Sequence, residues 1–208
     1  MQFLLRGLLA WDLTERESGL GIVYLSFGLG LLVCTPIGGV LADRWAKRTL
    51  LVFGQGTIAV VAAAMGLAAV SNNAQFWMLM VASLAQGAMF GLIGPARVTT
   101  AAELVGHEQL GNAISLTSMS MSLTRIFGPA AAGVLAGVAV FGIGGAYLVA
   151  AVFSVVSTLL TMRLPKLEPQ AATRGHPVTE ILDGVRYVKS EKQLKWLIVT
   201  TTLAIMIG

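Results

Sequence analysis

The sequence has 208 residues, of which 56% are hydrophobic and only 12% are charged. Its mean hydropathy of +0.80 excludes an ordinary soluble domain, which could not cover its surface with so few polar side chains. The net charge of +4 would suit nucleic-acid binding, but the basic residues lie at the ends of apolar segments, which favours a membrane protein and no nucleic-acid partner. The one cysteine, Cys34, excludes an intrachain disulfide and a two-cysteine metal site.

Apolar segments of helical length follow one another along the chain. An uncharged run of about 20 residues can cross a bilayer as a helix. The first run is too short to cross, and we expect it to be the later part of a helix that begins upstream. The predicted helices lie at about 1–11 (partial), 19–41, 50–70, 76–96, 110–140 and 143–162. The sequence therefore predicts an all-α, polytopic membrane bundle over residues 1–162.

The predicted connectors differ in polarity. Residues 12–18 are charged, and Thr14 and Glu17 have the spacing of a helix capping box. Residues 98–109 are polar enough to be an irregular connector. Residues 163–195 form a hydrophilic loop in which Glu180 to Lys192 has helical apolar spacing, as expected of an amphipathic helix on lipid headgroups or of a simple linker helix. Residues 196–208 are apolar again and predict the start of a further helix, so we expect the chain to be clipped at both ends.

The basic residues predict the orientation of the bundle. Most of the 14 Lys and Arg lie in the loops 42–49, 97–109 and 163–195, which alternate crossings place on one side. The opposite turn at 71–75 carries no charge. By the positive-inside rule, these three basic loops are predicted to be cytoplasmic.

The stretch Gly39-Val-Leu-Ala-Asp43-Arg44-Trp-Ala-Lys47-Arg48 concentrates four charges between two apolar spans. It resembles the loop between helices 2 and 3 of the major facilitator superfamily, with Ala46 where that family has a second Gly. The matching residues are Gly39, Leu41, Asp43, Arg44, Lys47 and Arg48. The resemblance implies a cytoplasmic gate, in which Asp43 docks near a neighbouring helix end and the basic residues bridge to a C-terminal half. The alternative is that the cluster only sets topology.

A second stretch, Arg125-Ile-Phe-Gly128-Pro129-Ala-Ala-Ala-Gly133, resembles the helix-5 motif of exporters in the same superfamily. The layout resembles the branch that includes macrolide-efflux and enterobactin-exporter-type proteins. Gly128 and Pro129 would bend the helix in favour of export, or the bend would serve packing alone. Gly133 and Gly137 offer a flat strip for close helix packing.

The resemblance covers the chain from late helix 1 to early helix 7. It implies the N-terminal six-helix half of a transporter, built as two three-helix repeats, in a bacterial cytoplasmic (inner) membrane. The expected partners are the lipid bilayer, a small-molecule substrate and the missing C-terminal half of the same protein, which would be monomeric when complete. The expected function is secondary active transport by alternating access, with efflux as the direction and proton coupling left open. A non-transporting membrane scaffold with the same fold is the alternative.

Three polar side chains within or beside the spans are candidates for a substrate cavity: Arg125, Gln86 and Arg6. A charge inside a membrane span points to function, although Arg125 could equally be a structural partner of helix-end carbonyls. Gln86 needs a partner, either in a cavity or between helices. The sequence has no nucleotide-binding Gly-Lys-Ser/Thr loop, zinc signature or nucleophile elbow, so we predict no cofactor, no metal and no enzyme activity.

Overall fold

The computed structural model describes residues 1–105, 109–138, 142–165 and 200, and these residues form a helical bundle. Its helices are α1 (Gln2–Thr14), α2 (Glu17–Arg44), α3 (Lys47–Val70), α4 (Phe76–Val105), α5 (Leu110–Gly137) and α6 (Gly142–Thr161). The chain divides into the units Met1–Gln170 and Ala171–Gly208, and the bundle lies in the first. The all-α fold is confirmed, whereas the amphipathic helix predicted at 180–192 and, apart from residue 200, the helix predicted from 196 lie outside the described residues.

Among the described residues, four helices are long and apolar enough to cross a membrane: α2, α3, α4 over Phe76–Ala101, and α6. Helix α1 has only 13 residues. Helix α5 is long enough with 28 residues, but its serines and threonines, together with Arg125, lower its mean hydropathy. These spans make the chain a multi-pass membrane protein.

The packing of the helices repeats within the bundle. Helix α2 packs closely on α4, and α3 packs on both α4 and α6. The helix contacts correspond when α1 is exchanged with α4, α2 with α5 and α3 with α6. Under this exchange the α2–α4 contact corresponds to an α5–α1 contact, and the α3–α4 contact corresponds to an α6–α1 contact. Both of these corresponding contacts are present. The same exchange relates α1–α2 to α4–α5 and α2–α3 to α5–α6. This correspondence is what two three-helix repeats produce.

Glycines allow the backbones of α2 and α4 to come into direct contact. A Cβ atom added at Gly38 would lie 2.5 Å from the carbonyl oxygen of Gly91 and 2.7 Å from the Cα of Leu92. A Cβ at Gly91 would lie 2.7 Å from the carbonyl oxygen of Leu31. Gly30 and Gly87 make equivalent backbone contacts nearby. We call these four residues, Gly30, Gly38, Gly87 and Gly91, the glycine seam. Small residues of this kind let helices pack tightly where lipid offers no hydrophobic driving force.

Two local expectations from the sequence are wrong. Residues 98–105 are not an irregular connector, because α4 continues to Val105. The hydroxyl of Thr99 there donates to the carbonyl of Pro95 one turn back at 3.1 Å, so its polarity is accommodated inside the helix. The capping box does not form either: Thr14 ends α1, its hydroxyl donates to the Ala10 carbonyl at 2.6 Å, and the N-cap of α2 is Arg16.

Candidate functional site

All six helices contribute side chains to a cavity of about 770 Å³ within the bundle. The cavity combines two kinds of lining that are seldom found together in a membrane interior, guanidinium groups and phenyl rings. Its lining includes Arg6, Phe27, Phe90, Arg97, Arg125 and Phe153. Volumes of this size are typical of small-molecule sites.

Arg6 is held rigidly at the wall of this cavity. Its side chain is only 3% exposed, and its Nη2 donates a hydrogen bond to Oε1 of Gln86. Its guanidinium carbon lies 4.4 Å from the ring centroid of Phe27, a cation–π contact. Nη1 of Arg6 is buried and has no hydrogen-bond partner among the described residues. The sequence named Arg6 and Gln86 as separate candidates, and the fold makes them direct partners.

Two more arginines line the same cavity. Arg125 is exposed on α5, and Arg97 is half-buried on α4. No carboxylate in the described part of the chain lines the cavity with them. Arg97 falls in the predicted loop 97–109, but α4 continues past it, so Phe90, Ile93 and Arg97 recur at helical spacing on one face.

The residues of the helix-5 motif occupy different surroundings. Helix α5 runs without a break through Gly128 and Pro129, and Pro129 lines the cavity. A Cβ atom at Gly133 would meet only the side chain of Leu4, at an ordinary 3.9 Å, and nothing lies within 4 Å of one at Gly137. The predicted Gly133–Gly137 strip therefore makes no close helix contact within the described bundle.

The first two residues of α3 join three helices at one end of the bundle, which we call the basic end (residues 42–49, 103 and 162). Lys47 is buried and forms an ion pair with Glu103 near the end of α4. Arg48 donates to the main-chain carbonyl of Met162, just after α6. That carbonyl is one of those a helix C-terminus leaves without an intrahelical partner. Lys47 and Arg48 thus bind α3 to α4 and to α6.

The remaining motif residues shape the turn at this end. Asp43 is exposed and has no ion pair within the described part of the chain. Ala46 has φ −57°, an ordinary value for any residue, so the turn does not require glycine there. Leu41 packs against the buried apolar cluster of α3 and α4, and a Cβ at Gly39 would meet nothing within 4 Å. Arg44 is the last residue of α2.

Comparison with known proteins agrees with this architecture. The family model of the Major Facilitator Superfamily matches residues 2–208, and the chain belongs to that superfamily. It is similar to the enterobactin exporter EntS of Shigella boydii serotype 18, with 27% identity over 176 residues, 85% of this chain and 42% of the relative. EntS of Citrobacter koseri is 27% identical over 178 residues, 86% of this chain and 42% of the relative. The chain thus spans 42% of the length of these relatives, and the resemblance predicted from its motifs is confirmed.

Proposed function

We propose that this chain is the N-terminal half of a secondary active transporter that exports a small molecule from a bacterial cytoplasm by alternating access. The observation that carries the proposal is the superfamily match over residues 2–208 in a bundle that has an open cavity of about 770 Å³. Substrate would bind in that cavity, between this half and a C-terminal half. The names of the relatives, enterobactin exporters, support export as the direction.

The orientation belongs to the same proposal. The basic end faces the cytoplasm, and the uncharged turn at 71–75 faces outward, in a bacterial inner membrane. Secondary active transport takes its energy from an ion gradient, and proton coupling is the form of it that the proposal leaves open.

The basic end would act as the cytoplasmic gate. Lys47 and Arg48 are engaged inside this half, so they make the end of the bundle a rigid platform. Asp43 stands exposed on that platform and is free to meet a group of the C-terminal half in one conformation only. A contact made in one of two states biases the equilibrium between them, which is what a gate requires.

Replacement of Asp43 tests the gate. In the full reading frame, expressed in an efflux-deficient host, Asp43→Asn should reduce export by about tenfold or more, since a lost charge-assisted contact of about 1.5–3 kcal/mol shifts the two-state balance. Export is measured with a drug-susceptibility panel and by efflux of accumulated substrate. Membrane abundance should stay at the wild-type level, because the exposed side chain supports no packing.

Asp12→Asn is the matched control, because Asp12 is an exposed carboxylate near the end of α1, away from the basic end. It should leave export unchanged. Wild-type export by the Asp43→Asn variant would refute the gate. Absence of export by the intact wild-type protein over a broad panel would favour the scaffold alternative.

A further inference from the structure

We propose that Arg6 binds the anionic group of an aromatic substrate, that Arg97 and Arg125 strengthen the positive field of the cavity, and that Phe27 and Phe90 contact the ring of the substrate. This inference rests on the proposed transport function and adds the chemical class of the substrate. It names a binding site in which Arg6 is the central residue and the other two arginines reinforce the positive field.

The charge of the cavity lining has one sign. Three arginines line the cavity, and no described carboxylate lines it with them. Keeping cations in apolar surroundings is costly unless an anion neutralises them. Within the described residues, the cavity is therefore complementary to an anion.

The guanidinium group of Arg6 is held by two contacts. Gln86 holds Nη2, and the ring of Phe27 lies 4.4 Å from the guanidinium carbon, so the plane of the group is fixed. Nη1 remains a buried donor without a partner in the described part of the chain, although Arg6 itself lines the cavity. A buried unpaired donor is costly, and a planar fork suits an oxyanion such as a carboxylate.

Phenylalanine rings lie beside Arg6 in the cavity lining. Phe27 and Phe90 are arranged edge to face, with centroids 6.0 Å apart and an interplanar angle of 63°. Phe3 and Phe153 are exposed and line the same cavity. Phenyl rings arranged in this way can accept a further aromatic ring in an offset or edge-on contact. A planar aromatic anion thus suits both the unpartnered Nη1 donor of Arg6 and the rings beside it.

Three probes separate charge from ring stacking: naphthoate, its uncharged amide naphthamide, and the saturated analogue decalin carboxylate. Binding to the complete protein in lipid nanodiscs is measured by titration calorimetry, with empty nanodiscs subtracted. The wild-type protein should bind naphthoate about tenfold or more tightly than naphthamide, as a charge-assisted hydrogen bond predicts. It should bind naphthoate roughly two- to tenfold more tightly than the saturated acid.

The variants assign these preferences to residues. Arg6→Gln should bring the ratio of the naphthoate and naphthamide affinities close to one, and Arg6→Lys should give an intermediate ratio because it keeps the charge without the planar fork. Phe27→Leu should remove the preference for the aromatic ring. Arg16→Gln, which removes an exposed arginine between α1 and α2, should leave both ratios unchanged.

Three results would overturn the site: equal affinity of the wild-type protein for naphthoate and naphthamide, no detectable binding of naphthoate, or a wild-type ratio in Arg6→Gln. If the arginines only pair with acids elsewhere in the complete protein, the first result is expected. Should Arg6→Gln fail to fold, the exposed position 125 still provides the test. Arg125→Gln should lower the ratio severalfold, and an unchanged ratio would overturn the three-arginine site.

The outcome for this site is separable from the outcome for transport. Export across a susceptibility panel without any anion preference in binding would leave the transporter standing and remove the aromatic-anion site. A clear anion preference in a complete protein that exports nothing would keep the site and remove the transport function.

Discussion

Lys47 and Glu103 each sit at a helix end that disfavours their charge. Lys47 is the first residue of α3, and Glu103 lies in the last turn of α4. A helix N-terminus carries a partial positive charge and a C-terminus a partial negative one. The ion pair between the two residues offsets both unfavourable placements, which makes each residue dependent on the other.

This dependence predicts a strong coupling between the two positions. Lys47→Met should destabilise the complete protein by about 2 kcal/mol, because it leaves Glu103 partly buried beside the negative end of its own helix. Combining it with Glu103→Met should restore most of that loss, since two apolar side chains replace two charges. Thermal unfolding in detergent, followed by size-exclusion fluorescence, measures the double-mutant cycle. Additive losses in the double variant would contradict the coupling.

The candidate residues show what a sequence can predict at this scale. Arg6, Gln86 and Arg125 stood out because a polar group in an apolar span must find a partner. The bond between Arg6 and Gln86 could not be predicted, because it depends on how α1 and α4 are placed side by side. Arg97 was missed for a simpler reason: the helix was ended at residue 96, one position before it.

At the scale of the helices, the seam between α2 and α4 is set by four glycines. The chain has 24 glycines, and their abundance predicted close helix contacts without showing which glycines make them. The strip chosen from the sequence, Gly133 and Gly137, makes no close contact in the described bundle. A spacing of four residues shows that two glycines share a face, but only the fold shows what that face meets.

The seam predicts a large difference between a glycine inside it and one outside it. Gly91→Ala should lower stability by about 1–3 kcal/mol, because its Cβ would lie 2.7 Å from the carbonyl oxygen of Leu31 and 2.8 Å from the main-chain nitrogen of Thr35. Gly28→Ala on α2 is the matched control, because nothing lies within 4 Å of its Cβ, and it should be neutral or slightly stabilising. The same thermal unfolding assay compares them, and equal melting temperatures would contradict the seam.

The positions of the helices along the chain are easier to predict than the residues at which the helices end. The apolar runs located all six helices of the described bundle, because burial in lipid requires a long uncharged segment. The end of α4 at Val105 was not predictable from polarity, because the Thr99 hydroxyl bonds back to its own helix. Hydroxyl groups therefore make the end of a helix hard to predict from the sequence, although they do not interrupt the helix itself.

At the scale of the whole molecule, the surroundings of the bundle explain why large apolar side chains are exposed on its surface. Leu116, Ile126 and Phe127 on α5 are 65–68% exposed in the bundle. Such surfaces would aggregate in water, whereas lipid or a further transmembrane half can cover them. The exposed apolar surface and the concentration of most charges near the helix ends thus have one cause, the bilayer.

The orientation of the whole bundle gives the last prediction. Cys34 is the one cysteine, so Cys34→Ser in the complete protein provides a background for single-cysteine labelling, provided that its other half is also made cysteine-free. Asn73→Cys, in the exposed uncharged turn after α3, should react with a membrane-impermeant maleimide in intact cells. Thr49→Cys, exposed at the basic end, should react only after the cells are opened, because the proposed orientation places that end in the cytoplasm. The two positions are matched, since each lies at an end of α3 and neither is buried. The reverse labelling pattern would show that the bundle has the opposite orientation, with the proposed gate on the outer face of the membrane.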